Sequence, residues 1–159
     1  MPLYLHTYIG LPWDRIGVIF TIMLVPFALF ELPLGTLADK VFGEKELLII
    51  GLSIMGGTTL VLAFINSTSF LVWTIALFAT RVGASMVEIM SETYFFKNVE
   101  RHEADLMEYF RSVEPMAYIV APVLASLLLL VASMPLLFIL LGCIMLGGIP
   151  IAVTLRDTR

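Results

Sequence analysis

Arg81, Ser85, Glu88 and Glu92 fall at i, i+4, i+7 and i+11 in a stretch that is otherwise almost wholly apolar. At 3.6 residues per turn this spacing puts all four on one stripe of a helix. An arginine with carboxylates in an apolar segment can hold and pass a proton, hold a charged solute, or lock two helices together. Glu31, the one charge in another apolar stretch, is the natural counterpart. It stands eight residues before Asp39, about 12 Å along a helix, and Glu88 stands at nearly the same depth, about 10 Å before Phe95. An ionisable group at the bilayer centre costs at least about 2.5–3.5 kcal/mol, so these groups must face a cavity or a partner. Proton coupling and static ion pairing are both open on this pattern, and substrate contact is a third use.

Other chemistries are poorly served. Cys143 is a single cysteine in an apolar run, so no internal disulfide framework and no multi-cysteine metal site can form; it reads as helix packing. His102 lies in the charged run Glu100–Asp105, but no pair of histidines has ligand spacing, so a solvated loop is the better reading and no metal or cofactor is expected. No Ser–His arrangement suggests an enzyme. Nine Lys and Arg, scattered along a chain of net charge −4, cannot track a phosphate backbone, so nucleic acid is not an expected partner.

These polar residues must be positioned by elements that live in lipid. The 159 residues are 60% hydrophobic and only 14% charged, with a mean hydropathy of +1.00, against roughly 25% charged residues in soluble domains. Five apolar stretches are each near the roughly 20 residues that cross about 30 Å of hydrocarbon as a helix. The expected fold is an all-α membrane protein with five transmembrane helices. The spans are 16–36, 47–65, 69–94, 106–131 and 135–155, forming one bundle over 16–155. Residues 1–15 read as the stub of a preceding helix with an external loop, and 156–159 as a cytoplasmic tail. Pro12-Trp13-Asp14 supplies a turn, an interfacial aromatic and a helix cap. Pro115 and Pro122 remove backbone bonds from the fourth helix, and with Glu114 beside the first of them they are hinge candidates. The aromatic and methionine face of Phe20, Met23, Phe27 and Phe30 reads as lipid or helix contact.

The charges fix an expected topology. Seven of the nine basic residues (Lys40, Lys45, Lys97, Arg101, Arg111, Arg156 and Arg159) fall on one side if five helices cross in turn. The positive-inside rule makes that side, and the C-terminus, cytoplasmic. Asn66-Ser67-Thr68 fits a glycosylation acceptor, but it sits hard against the membrane and reads as a cap for the third helix.

The loop between the first two helices reads Gly35-Thr-Leu-Ala-Asp39-Lys40-Val-Phe-Gly43-Glu44-Lys45. Gly35 lets the backbone pass close to a neighbouring helix, and Gly43 permits a sharp reversal. This pattern resembles the signature loop of the major facilitator superfamily, G-x-x-x-D-x-x-G-[RK]-[RK], at Gly35, Asp39 and Gly43. One of its two basic positions is acidic here, Glu44 before Lys45. Thr80-Arg81-Val82-Gly83-Ala84 resembles the arginine-and-glycine motif of that family's fourth helix, with a shorter spacing. Ala117–Ser126, centred on Ala121-Pro122, resembles the small-residue and proline motif of its fifth, with alanines replacing glycines.

Order, spacing and sidedness match five helices of one six-helix half lacking its first helix. The short basic tail favours the second, C-terminal half. The resemblance implies secondary active transport of a small-molecule substrate across the inner membrane by alternating access, possible proton coupling, and the missing half of the transporter as a partner beside the lipid bilayer. A small non-transporting membrane subunit, for assembly or regulation, is the alternative. Substrate, direction and coupling ion are not encoded in these motifs.

Overall fold

The computed structural model describes residues 1–30, 43–99 and 104–155. Among them every regular element is a helix. A short α1 (Pro2–Thr7) and α2 (Trp13–Ile22) precede α3 (Glu44–Leu62), α4 (Phe70–Asn98), α5 (Ala104–Leu129) and α6 (Met134–Thr154). With helical turns resuming at residues 25–30, five segments are long and apolar enough to cross a membrane: Trp13–Phe30, Glu44–Leu62, Phe70–Asn98, Leu106–Leu129 and Met134–Thr154. At 29 residues α4 is about 43 Å long, well beyond what the hydrocarbon requires. Its last turns, which hold Lys97, therefore stand outside the apolar layer.

Local chemistry explains the helix ends. α1 stops where Gly10 takes a positive φ of 78°, which turns the chain so that the Leu11 N–H reaches the Leu5 carbonyl at 3.0 Å. α2 begins at Trp13, with Pro12 as its N-cap. Asp14 is therefore not the cap expected from sequence. It lies in the first turn, where its charge still meets the positive end of the helix. α2 breaks after Ile22 because Pro26, four residues on, has no N–H for the Ile22 carbonyl. Glu44 and Glu46 in the first turn of α3 use the same dipole. Gly43, its N-cap, has φ −77° and ψ 162°, an extended backbone open to any residue, so the reversal expected there does not need glycine's freedom. α4 starts after Ser69, whose side chain does not cap it. Instead the Ser69 N–H donates to the Ser67 hydroxyl, and the Trp73 indole donates to the Ser67 carbonyl at 2.7 Å.

α3 is the centre of the bundle, with α4 and α6 packed along two of its sides. Glycine notches let these backbones meet. A Cβ on Gly83 would stand 2.5 Å from the Met55 backbone nitrogen and 2.8 Å from the Gly51 carbonyl oxygen. A Cβ on Gly142 would meet the Leu60 side chain at 2.6 Å and the Gly56 carbonyl at 3.1 Å. Without a hydrophobic drive between helices in lipid, this close approach is what supplies the packing energy.

Two apolar clusters bracket the bundle. At one end Tyr4, Leu5, Ile16, Ile19, Leu62, Trp73 and Phe138 bring α1, α2, α3, α4 and α6 together. At the other, Leu47, Met86 and Met90 pack with Phe30. Phe20 and Met23 join the first cluster, so the aromatic and methionine face of α2 makes helix contacts. Cys143 is exposed on α6, and so is not the packing residue expected. α5 stands apart. None of its described residues is buried; it meets α6 over a short stretch and α4 where Phe110 stacks on Phe95 with ring centroids 4.1 Å apart.

Candidate functional site

The polar stripe of α4 divides in two. Arg81, Glu88 and Glu92 are exposed along the helix, while Ser85 is fully buried and donates its hydroxyl to the Val82 carbonyl at 2.9 Å. Ser85 lies about 60° round the helix from Glu88 and is buried where Glu88 is not. The expected four-residue stripe is thus a three-residue one, with Ser85 belonging to the packing.

Glu114 joins it from α5. Glu114 stands near Glu88 across the two helices, with Arg81 and Glu92 along α4 on either side of Glu88. In the sequence Glu114 is a hinge candidate beside Pro115; α5 is continuous helix through Pro115 and Pro122. Among the described residues, the first span is interrupted after Ile22, ahead of Pro26. Arg81 stands 11 residues into α4 and Glu114 ten residues into α5, each about 15 Å from its helix start. Glu31, Gly35, Asp39 and Lys40 lie outside the described residues.

Arg81 also lines a cavity of about 280 Å³ between α2, α3, α4 and α6, together with Thr59 and Thr80. The polar wall here is threonine. Thr80 Oγ1 lies 3.0 Å from Thr58 Oγ1 and 3.0 Å from the Ala76 carbonyl, either of which can accept its proton. Thr58 and Thr59 each donate back to their own helix, at 2.7 Å to Ile54 and Met55. A second, larger opening of about 660 Å³ lies between α5 and α6, with Glu114 at its edge.

At the far end of α4, Lys97 forms an ion pair with Glu44, the first residue of α3. Glu44 is the acidic residue standing where the resembled loop has a basic one. Its side chain is 3% exposed and that of Lys97 is 39% exposed. The acidic replacement is therefore compensated, by a lysine some fifty residues away that no local pattern connects to it. Lys45, beside it, is half-buried on α3. Among the described residues no group of three or more His, Cys, Asp or Glu is arranged to hold a metal, and no buried side-chain polar atom lacks a hydrogen-bond partner.

The family model of the Major Facilitator Superfamily matches residues 1–159, the whole chain. No curated protein and no solved structure matches it. The chain belongs to the Major Facilitator Superfamily: it is a multi-pass, all-helical membrane protein of a family that moves small solutes across membranes and whose members are transporters rather than enzymes.

Proposed function

From this membership we propose that the chain forms five helices of one half of a secondary transporter, works by alternating access, and couples solute movement to protons through Arg81, Glu88, Glu92 and Glu114. One observation carries the reading. All four side chains are exposed in spanning helices, three of them on α4 and one on α5, with the other three near Glu88. Hydrocarbon does not tolerate such a face, so it must look into water or onto a second polypeptide surface. A rocking pair of halves supplies both, because its solute pathway lies between them near the midplane. Glu31 would complete the cluster from the first span. The charged loops and the C-terminus would lie in the cytoplasm, with the protein in the inner membrane and this chain contributing to the C-terminal half.

Reconstituted vesicles under an imposed pH gradient test the coupling. Glu88→Gln should abolish proton-driven uptake and leave solute exchange at no less than half the parent rate. If Glu88→Gln and Glu114→Gln both keep full proton-driven uptake, the cluster is not the coupling site. Impermeant thiol labelling of a cysteine placed at Phe42 tests the orientation; modification from outside intact cells would reverse it.

A further inference from the structure

We infer that α1 is a lid: it closes the end of the bundle on which it sits and keeps water from entering, within the bundle itself, the cavity that holds Arg81. This entry is separate from any pathway between two halves, and it stands whether or not the charge cluster couples protons. The cavity of about 280 Å³ reaches up to α1, because Met1 lines it together with Thr59, Thr80 and Arg81. One apolar layer covers it there. Met23, Leu62, Leu77 and Phe138 belong both to the cavity wall and to the cluster that buries Tyr4 and Leu5. Tyr4 is the centre of that layer. Its ring meets Trp73 of α4 edge-on at 6.0 Å and Phe138 of α6 edge-on at 5.8 Å. Trp73 stands eight residues before Arg81, about 12 Å along α4. The Tyr4 ring is therefore a plug between the α1 end and the guanidinium.

The two sides of the plug are held with different firmness. Trp73 is fully buried, and its indole is tied to the Ser67 carbonyl. α1 has six residues, too few to persist alone in water, so it depends on the docking of Tyr4 and Leu5. Its Leu3 and Tyr8 are exposed. The chain behind it turns at Gly10, where a Cβ would meet open space. Across that turn α1 is latched by the Leu11 N–H on the Leu5 carbonyl and by His6. The His6 imidazole stacks on Trp13 with ring centroids 4.4 Å apart. Its Nδ1 lies 2.9 Å from the Leu11 carbonyl, to which it donates in the tautomer that carries the proton there. A short element held by two docked side chains and a latch, on a glycine turn, opens at lower cost than helices joined backbone to backbone. Once it lifts, water meets the hydroxyls of Thr59 and Thr80 and the charge of Arg81, all of which it can solvate.

The test is thiol labelling of the purified protein in nanodiscs, where a charged methanethiosulfonate reaches both faces and does not cross lipid. Cys143→Ser removes the native thiol, and Thr59→Cys places one on the cavity wall with little change of size. In the parent background that thiol should react at least about a hundredfold more slowly than one introduced by Asn66→Cys, an exposed position. Tyr4→Ala should speed the Thr59→Cys reaction at least about tenfold, and His6→Ala about threefold or more. Tyr4→Phe, which keeps the ring, should leave it slow. Equal rates at Thr59→Cys and Asn66→Cys in the parent background would overturn the lid, because water would then reach the cavity by another way. Unchanged protection in Tyr4→Ala would overturn it too. Where Tyr4→Ala does not purify as a monodisperse protein, His6→Ala decides alone, since His6 is exposed and its loss removes no buried side chain. Ser85→Cys, at a buried position on the same helix, reports on the bundle as a whole. It should stay unreactive in Tyr4→Ala. Labelling there as fast as at Thr59→Cys would mean a loosened bundle in place of a lid, and would equally overturn the proposal.

Discussion

The seam between α3 and α4 and the groove between α5 and α6 are built from similar composition and are opposite in kind. Along the seam, Gly51 and Gly83 bring two backbones so close that one added carbon would overlap the Met55 nitrogen. Along the groove, alanines and a proline leave about 660 Å³ open, and no described residue of α5 is buried. Small residues thus serve two ends. Where the facing helix also carries small residues, the backbones close on each other. Where the facing helix carries leucines and isoleucine, as α6 does at Leu137, Leu140 and Ile144, small residues on α5 leave space. A seam without room suits a rigid body, and the open side leaves α5 loosely held.

The sharpest way to break this comparison is Gly83→Leu. Overpacking against backbone cannot be relieved by a rotamer change, so a loss of at least about 3 kcal/mol is expected, seen as failure to purify a monodisperse protein or as a large fall in thermal midpoint. A Gly83→Leu protein as stable as the parent would mean the seam is not rigid. Next in size is the ion pair at the end of that seam. Glu44→Lys or Lys97→Glu alone should each cost about 1–3 kcal/mol, less than a fully buried pair because Lys97 is 39% exposed. The exchanged double variant should recover at least about 1 kcal/mol of the summed losses in thermal unfolding. Additive losses would deny that the two side chains act together. A smaller effect is expected from Thr80→Val, which removes the hydroxyl contact with Thr58; interhelical hydrogen bonds in membranes average about 0.6 kcal/mol. The smallest belongs to α5. Val120→Ala, on an exposed face, should change stability by less than about 0.5 kcal/mol, and a loss as large as that of the seam variants would show that α5 is packed after all.

Much of this molecule is legible in the order of its residues. Five spans follow from apolar runs of bilayer length, because hydrocarbon forces each segment to satisfy its own backbone. The unusual grouping of Arg81 with Glu88 and Glu92 follows from helical periodicity alone. Three things resist such reading. Ser85 sits at the right spacing, within about 40° of Arg81, yet the fold buries it while its stripe neighbours stay exposed. Glu114 stood out only as a hinge candidate beside Pro115, and its place near Glu88 comes from the packing; α5 continues as helix through Pro115 while the first span is interrupted before Pro26. A proline removes one bond in either place, and the surrounding packing sets whether the helix yields.

Glu44 is the clearest case. By itself it is a departure from a basic pattern in a loop, with no visible consequence. Folded, it is a buried carboxylate held by Lys97 from the opposite end of another helix. Sequence determined the solvent, the number of spans and the family, because those depend on hydropathy and short motifs counted along the chain. Tertiary structure decided which small residues close a seam and which open a groove, and which charges meet. Those depend on distances between segments that the chain joins only through its turns.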